Sequence, residues 1–190
     1  GDTEITSELC RLIGSQIEVN QEKNILKIQT PEIKNHRVVS LTRRNRIPIL
    51  ALGPLLARAG EAEVPFLGGD KIGARPVDIH LSALSAMGAV IDVSDNTYKA
   101  SAPNGLRGAR INFRYPSVGA TENTILAAVL AKGRTTIANA AVEPEIIELI
   151  KMLQKMGAII ELGANRVIYI DGVEKLRGAI HWILPDRNEA

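Results

Sequence analysis

Leu84-Ser85-Ala86-Met87-Gly88-Ala89-Val90-Ile91-Asp92-Val93 changes its apolar period at a glycine. A helical spacing runs into Gly88, and strict alternation leaves it. The pattern occurs twice more. It appears as Leu9-Cys10-Arg11-Leu12-Ile13-Gly14-Ser15-Gln16-Ile17-Glu18-Val19 and as Leu153-Gln154-Lys155-Met156-Gly157-Ala158-Ile159-Ile160-Glu161-Leu162. The three glycines recur about 70 positions apart, the mark of an internal repeat. Each reads as a helix closed by a left-handed glycine, where a Cβ would clash, followed by a half-buried strand. A second short strand follows every time, at 25–28, 98–100 and 167–170. The intervening turns carry Asn24, Asp95-Asn96 and Gly163-Ala164-Asn165, residues that suit hairpins.

Working outward, the other half of the unit recurs too. Leu52-Gly53-Pro54-Leu55-Leu56-Ala57-Arg58-Ala59-Gly60 is a short helix ending at glycine, with an apolar stretch at 62–67 behind it. Residues 121–133 repeat that plan, with Ile125, Leu126, Val129 and Leu130 on one face, and a strand follows at 135–138. The predicted unit is helix, strand, helix, hairpin. The expected architecture is α/β (α+β), with three repeated helix–strand units about a pseudo-threefold axis. No strand leads into a GxGxxG or Walker loop, so a doubly wound nucleotide fold is excluded.

Composition narrows the class. The 190 residues are 45% hydrophobic and 23% charged, enough to bury a core and unlike a disordered tail. Lys+Arg 23 against Asp+Glu 21 leaves +2, which argues against charge-driven binding of nucleic acid or membrane. Aromatic residues make up 3%, so the core must be aliphatic and no row of exposed rings can stack bases. Cys10 is the single cysteine, which excludes an intramolecular disulfide and fits a reducing, cytoplasmic compartment. No apolar run approaches the ~20 residues of a membrane span. His36, His80 and His181 lack metal-ligand spacing; they read as structural or surface residues, and no metal is assigned.

Three loops could carry chemistry. Gly68-Gly69-Asp70-Lys71-Ile72-Gly73-Ala74-Arg75-Pro76-Val77-Asp78 combines close-approach glycines with cations and a proline able to open a helix. It reads either as an anion site or as a linker capped by Asp78. Ser117-Val118-Gly119-Ala120-Thr121-Glu122-Asn123 precedes an apolar helix, with Thr121 expected as its N-cap. It serves either capping alone or a diphosphate held by freed N–H groups and the Ser117 hydroxyl. Arg43-Arg44-Asn45-Arg46 is a solvated loop from which one arginine could reach a phosphate.

Together with Ala51-Leu52-Gly53-Pro54-Leu55-Leu56-Ala57-Arg58, Glu143-Pro144-Glu145-Ile146 and Leu184-Pro185-Asp186-Arg187, these loops resemble the UDP-N-acetylglucosamine 1-carboxyvinyltransferase family. The stretches run in the family's order over nearly the whole chain. The resemblance implies an inside-out α/β barrel domain of three repeated units, the first of two such domains. It implies transfer of enolpyruvate from phosphoenolpyruvate to the 3-hydroxyl of UDP-N-acetylglucosamine in peptidoglycan synthesis, without a metal or organic cofactor. By the same resemblance, Arg75 contacts phosphoenolpyruvate and the nucleotide region, and Arg46 is a further substrate-side arginine. Pro76, Val77, Asp78 and Ile79 hold the uridine, and Ser117, Val118 and Gly119 hold the diphosphate.

The departures from the family pattern carry their own expectations. Asp70 replaces the usual proton-donating cysteine, the target of fosfomycin. A carboxyl has an unperturbed pKa of ~3.9, so it needs a raised pKa, an acidic optimum or a role confined to part of the cycle. Without a thiolate, fosfomycin resistance is expected. Tyr115 occupies a substrate-binding position where the family often has lysine, and Val142 replaces a common arginine. The expected domain covers residues 1–185 with its N-terminal part missing, and 186–190 begin a connection to a second domain. The family's Lys-Asn pair and its second-domain aspartate are absent, so the 190-residue piece alone is expected not to turn over. Two other readings are a shikimate-pathway enolpyruvyl transferase, which shares the Gly69-Asp70 and Arg75-Pro76 pattern, and a non-catalytic nucleotide-sugar binding module.

Overall fold

A computed structural model describes residues 2–41, 46–66, 77–94 and 96–185 of the chain. The first half-unit is a helix α1 (Asp2–Ile13) and a hairpin of β1 (Gln16–Asn20) and β2 (Ile25–Gln29). The second unit contains a 3₁₀ turn at Ile47–Ala51, α2 (Leu52–Ala59), β3 (Glu61–Pro65), α3 (Asp78–Ala86), β4 (Val90–Ser94) and β5 (Thr97–Ser101). The third contains β6 (Arg110–Asn112), α4 (Val118–Ala128), β7 (Arg134–Ala138), α5 (Pro144–Lys155), β8 (Ile159–Leu162) and β9 (Ile168–Asp171).

The period-switching glycines do what their sequence context requires. Gly14, Gly88 and Gly157 have φ of 107°, 97° and 100°, where an L side chain is strained. Asn24, Asn96 and Asn165 supply left-handed residues to the three hairpin turns, with φ of 51°, 61° and 55°.

The strands form sheets ordered β1-β2, β3-β5-β4 and β6-β7-β9-β8. One feature of the units goes beyond helix, strand, helix, hairpin. β6 pairs parallel to β7, and Arg37 makes an equivalent parallel bridge to Glu63 of β3. The third unit therefore opens with a short parallel strand joined through a helix, as parallel neighbours require, and a single bridge takes its place ahead of the second. Three residues and a single bridge are too short to register as periodicity.

Helix α4 packs against both α2 and α3. Strands β7 and β9 lie against α4, and their Ile137, Ile168 and Ile170 are fully buried. Each such side chain contributes ~1.5–3 kcal/mol through burial. Phe113 is the one buried aromatic among the described residues, in keeping with the aliphatic composition.

Helix α4 departs from expectation in two ways. It begins at Val118 with Ser117 as its N-cap, so Thr121 lies inside the helix and does not cap it. It is also buried nearly all round rather than on one face: Thr121, Asn123 and Thr124 are as inaccessible as Ile125. These polar side chains are tolerated because each is bonded. Thr124 Oγ1 donates to the Ala120 carbonyl at 2.7 Å, and Thr121 Oγ1 accepts from the Ala141 N–H at 3.0 Å.

Candidate active site

The first turns of α3 and α4 carry the segments singled out in sequence. Val77, not Asp78, occupies the N-cap of α3. Asp78 is instead the first helical residue, where its charge suits the positive helix end. Its carboxylate pairs with Arg114, whose Nη2 lies 2.9 Å from Oδ1 and 2.8 Å from Oδ2. Arg114 precedes α4, so this exposed pair ties the two helix starts together. At the surface such a pair contributes only ~0–1 kcal/mol, and its consequence is positional.

At α4, Ser117 Oγ accepts from the Ala120 N–H at 3.3 Å. The N–H groups of Val118 and Gly119, in the first turn, have no acceptors within the helix. The site therefore presents backbone donors, a hydroxyl and a positive dipole end, the combination that receives phosphate.

Beneath this surface lies a buried polar junction. Asn123 is 0% exposed and reaches three elements. Its Oδ1 accepts from the Gly53 N–H of α2 at 2.8 Å. Its Nδ2 donates to the Ile49 carbonyl in the 3₁₀ turn at 3.0 Å and lies 3.2 Å from His80 Nδ1 on α3. The contact with α2 depends on Gly53, where a Cβ would run into the Asn123 carbonyl oxygen.

His80 is 2% exposed, and its pKa is lowered to about 4. Burial is the main cause; neighbouring Arg46 adds to it, and Asp78 opposes both. The imidazole is thus neutral near pH 7. Its Cε1 and Nε2 lie against Gly119, at 3.3 and 3.6 Å from where a Cβ there would be. A side chain at 119 would crowd the ring edge, which would have to give by a few tenths of an ångström.

The expected residues divide as follows. Val77, Asp78, Ser117, Val118 and Gly119 sit on the paired helix starts, and Arg46, half-buried, is electrostatically coupled to His80 between them. Ile79, in the first turn of α3, has its side chain in the core at 6% exposure. Tyr115 is 64% exposed in the loop ahead of α4. Asp70, Arg75 and Pro76 lie outside the described residues, as do Arg43, Arg44 and the connection at 186–190.

Arg114, Asn123 and Glu122 are not singled out as site residues by sequence, and His80, expected to be structural or at the surface, is buried. Asn123 had one signal, its place in the quoted loop; Arg114 had none beyond adjacency to Tyr115. Glu122 is pushed up to about 7, first by burial and then by the nearby Glu145 charge. Among the described residues no group of His, Cys, Asp and Glu could hold a metal ion, and no helix is long and apolar enough to cross a membrane.

Known proteins share this fold. The sequence profile of the EPSP synthase (3-phosphoshikimate 1-carboxyvinyltransferase) family matches residues 1–190. A UDP-N-acetylglucosamine 1-carboxyvinyltransferase of Chlamydia abortus is 48% identical over 192 residues, covering 100% of this chain and 43% of the relative. That of Protochlamydia amoebophila is 46% identical over 196 residues, covering 100% and 42%. The chain thus spans less than half the length of these relatives. In three dimensions it resembles the enolpyruvyl transferase NikO from Streptomyces tendae, with a TM-score of 0.73 at 18% identity over 93% of this chain and 42% of that one. EPSP synthase from Acinetobacter baumannii gives 0.74 at 22% identity, over 93% and 41%. A profile match along its whole length, with the fold of solved enolpyruvyl transferases beside it, places the chain in the EPSP synthase family.

Proposed function

We propose that the protein carrying this chain transfers enolpyruvate from phosphoenolpyruvate to the 3-hydroxyl of UDP-N-acetylglucosamine, in the cytoplasm, as a step of peptidoglycan synthesis. One observation carries the reading: the starts of α3 and α4 are clamped side by side by Asp78 and Arg114, with Ser117, Val118 and Gly119 presenting donors beside them. That is a seat for a nucleotide diphosphate. The curated relatives' names support the same substrate.

In this reading Arg46 and Arg75 hold anionic groups of the substrates. Asp70 gives a proton to the methylene carbon of phosphoenolpyruvate while the sugar hydroxyl adds to the neighbouring carbon. Loss of phosphate and of a proton from the new methyl group then leaves the enol ether. Pro76, Val77, Asp78 and Ile79 border the uridine, with Tyr115 where a lysine would otherwise stand.

The family profile's own name favours a second reading, with shikimate 3-phosphate as acceptor. Phosphate release by the complete protein, measured with each acceptor, separates the two. Release with UDP-N-acetylglucosamine alone is expected; release with shikimate 3-phosphate alone overturns the proposal. Binding of the nucleotide sugar without turnover would point to a binding module. In the same assay the complete protein is expected to resist fosfomycin, and Asp70→Cys to make it sensitive, since only a thiolate is alkylated. Continued resistance of an active D70C variant would remove Asp70 from the proton-donor position.

A further inference from the structure

The described residues offer a cavity on the outer face of the β3-β5-β4 sheet, a carboxylate pair at Glu122 and Glu145, and the buried Asn123–His80 junction. The junction reaches furthest, because its tautomer can be deduced. Asn123 Oδ1 is committed as acceptor to the Gly53 N–H, and this fixes the amide so that Nδ2 is the donor facing both the Ile49 carbonyl and His80. His80 Nδ1 must then accept. A neutral imidazole accepting at Nδ1 carries its proton on Nε2, the atom that lies against Gly119 in the first turn of α4.

We infer that His80 is a positioning residue for the nucleotide sugar: held as the Nε2–H tautomer by Asn123, it sets the spacing between the first turns of α3 and α4. The inference rests on the nucleotide-sugar reading of those two helix starts. Asn123 holds the ring from below and also anchors the 3₁₀ turn that follows Arg46, so the three ligand-facing segments share one buried support. Gly119 is part of the device, since a Cβ there would press on the ring edge, 3.3 Å from Cε1 and 3.6 Å from Nε2. A charged imidazolium would carry protons on both nitrogens, turn Nδ1 from acceptor to donor against Asn123, and stand beside the Arg46 charge.

The test uses the complete protein and two substitutions that divide the ring's functions. His80→Gln keeps a distal donor near the Nε2 position, whereas His80→Asn keeps only the proximal acceptor near Nδ1. Steady-state kinetics should show KM for UDP-N-acetylglucosamine raised about tenfold in H80N, with kcat and KM for phosphoenolpyruvate within about twofold. H80Q should return KM for the nucleotide sugar to within about threefold of the unsubstituted protein. Equal behaviour of the two variants, or equal rises in both KM values, would overturn the inference. Should H80N fail to fold, the tautomer of His80 in the unsubstituted protein still tests the inference. Nitrogen NMR of ¹⁵N-histidine-labelled protein should show His80 protonated on Nε2 and unprotonated on Nδ1 from about pH 5 to 8. An Nδ1–H form overturns the inference. An unsubstituted protein that turns over neither acceptor defeats the functional reading instead, and the NMR result stands apart from that.

Discussion

Gly53 sits inside a helix, where alanine would ordinarily gain about 1 kcal/mol through helix propensity. Here the sign reverses. A Cβ at this position meets both the carbonyl oxygen and Oδ1 of Asn123, and neither can retreat without losing the bonds that join α2, the 3₁₀ turn and α3. Overpacking of a tight interior costs about 1–3 kcal/mol, and loosening a buried amide adds to it. Gly53→Ala is therefore expected to lower stability by a net ~1–3 kcal/mol, read as a fall in the urea midpoint at unchanged slope; an unchanged or higher midpoint contradicts the contact. At this scale the sequence was legible wherever a residue answers only to its own backbone. Gly14, Gly88, Gly157, Asn24, Asn96 and Asn165 all take the left-handed conformations expected of them. It was illegible where a side chain answers to a distant partner. Thr121 is a good cap by type, yet its hydroxyl is committed to Ala141, and Ser117 caps instead. Nothing local to His80 announces Asn123.

At the scale of elements, Glu122 of α4 lies near Glu145 in the first turn of α5, and this makes the third unit sensitive to pH. Glu122, half-buried in α4, has its pKa raised to about 7 from 4.5, by burial and by Glu145 in the first turn of α5. A carboxyl with a raised folded pKa binds its proton more tightly in the folded state. Its contribution to stability therefore falls as pH rises from about 4.5 to about 7, and is flat above that. His80 acts in the opposite sense: with its folded pKa lowered to about 4, acid removes stability below its ordinary value of 6.5. The two trends offset between about pH 4.5 and 6.5, so the wild-type profile alone is ambiguous. Glu122→Gln isolates one of them. At about 1.36 kcal/mol per pKa unit, and discounted for partial exposure, the variant is expected to gain roughly 1–2 kcal/mol at pH 8 and little at pH 5. Urea unfolding of both proteins at the two pH values measures the difference; an equal gain at both would remove Glu122 as its source. The order of elements could be read from the chain because the period switches at glycine. The parallel strand β6 could not, because three residues do not establish a period.

Across the whole molecule the repeat is legible but its stability is uneven. The sheet β6-β7-β9-β8 is seated on α4 and α5 through Ile137, Ile160, Ile168 and Ile170. The hairpin of β1 and β2 has the same local design, glycine before and left-handed asparagine between, yet every residue of β2 is exposed. Val19, Leu26 and Ile28 are roughly half exposed or more, and of α1 only Leu9 is buried. Local sequence makes the two hairpins equivalent; the partners that cover them do not, and those partners are distant in sequence. Opening free energy follows buried apolar contact, and a two-stranded hairpin without a covered face is marginal by itself. Native-state hydrogen exchange on the 190-residue chain should therefore show the amides of β1 and β2 exchanging through a local opening. Those of β7 and β9 should exchange only through global unfolding. With urea added, protection in β7 and β9 should fall steeply, as expected when opening exposes the whole core, while protection in β1 and β2 stays low and nearly independent of urea. Equal protection and equal urea slopes in the two hairpins would mean that the half-unit is as firmly held as the complete one, and that its exposed apolar side chains are not its weakness.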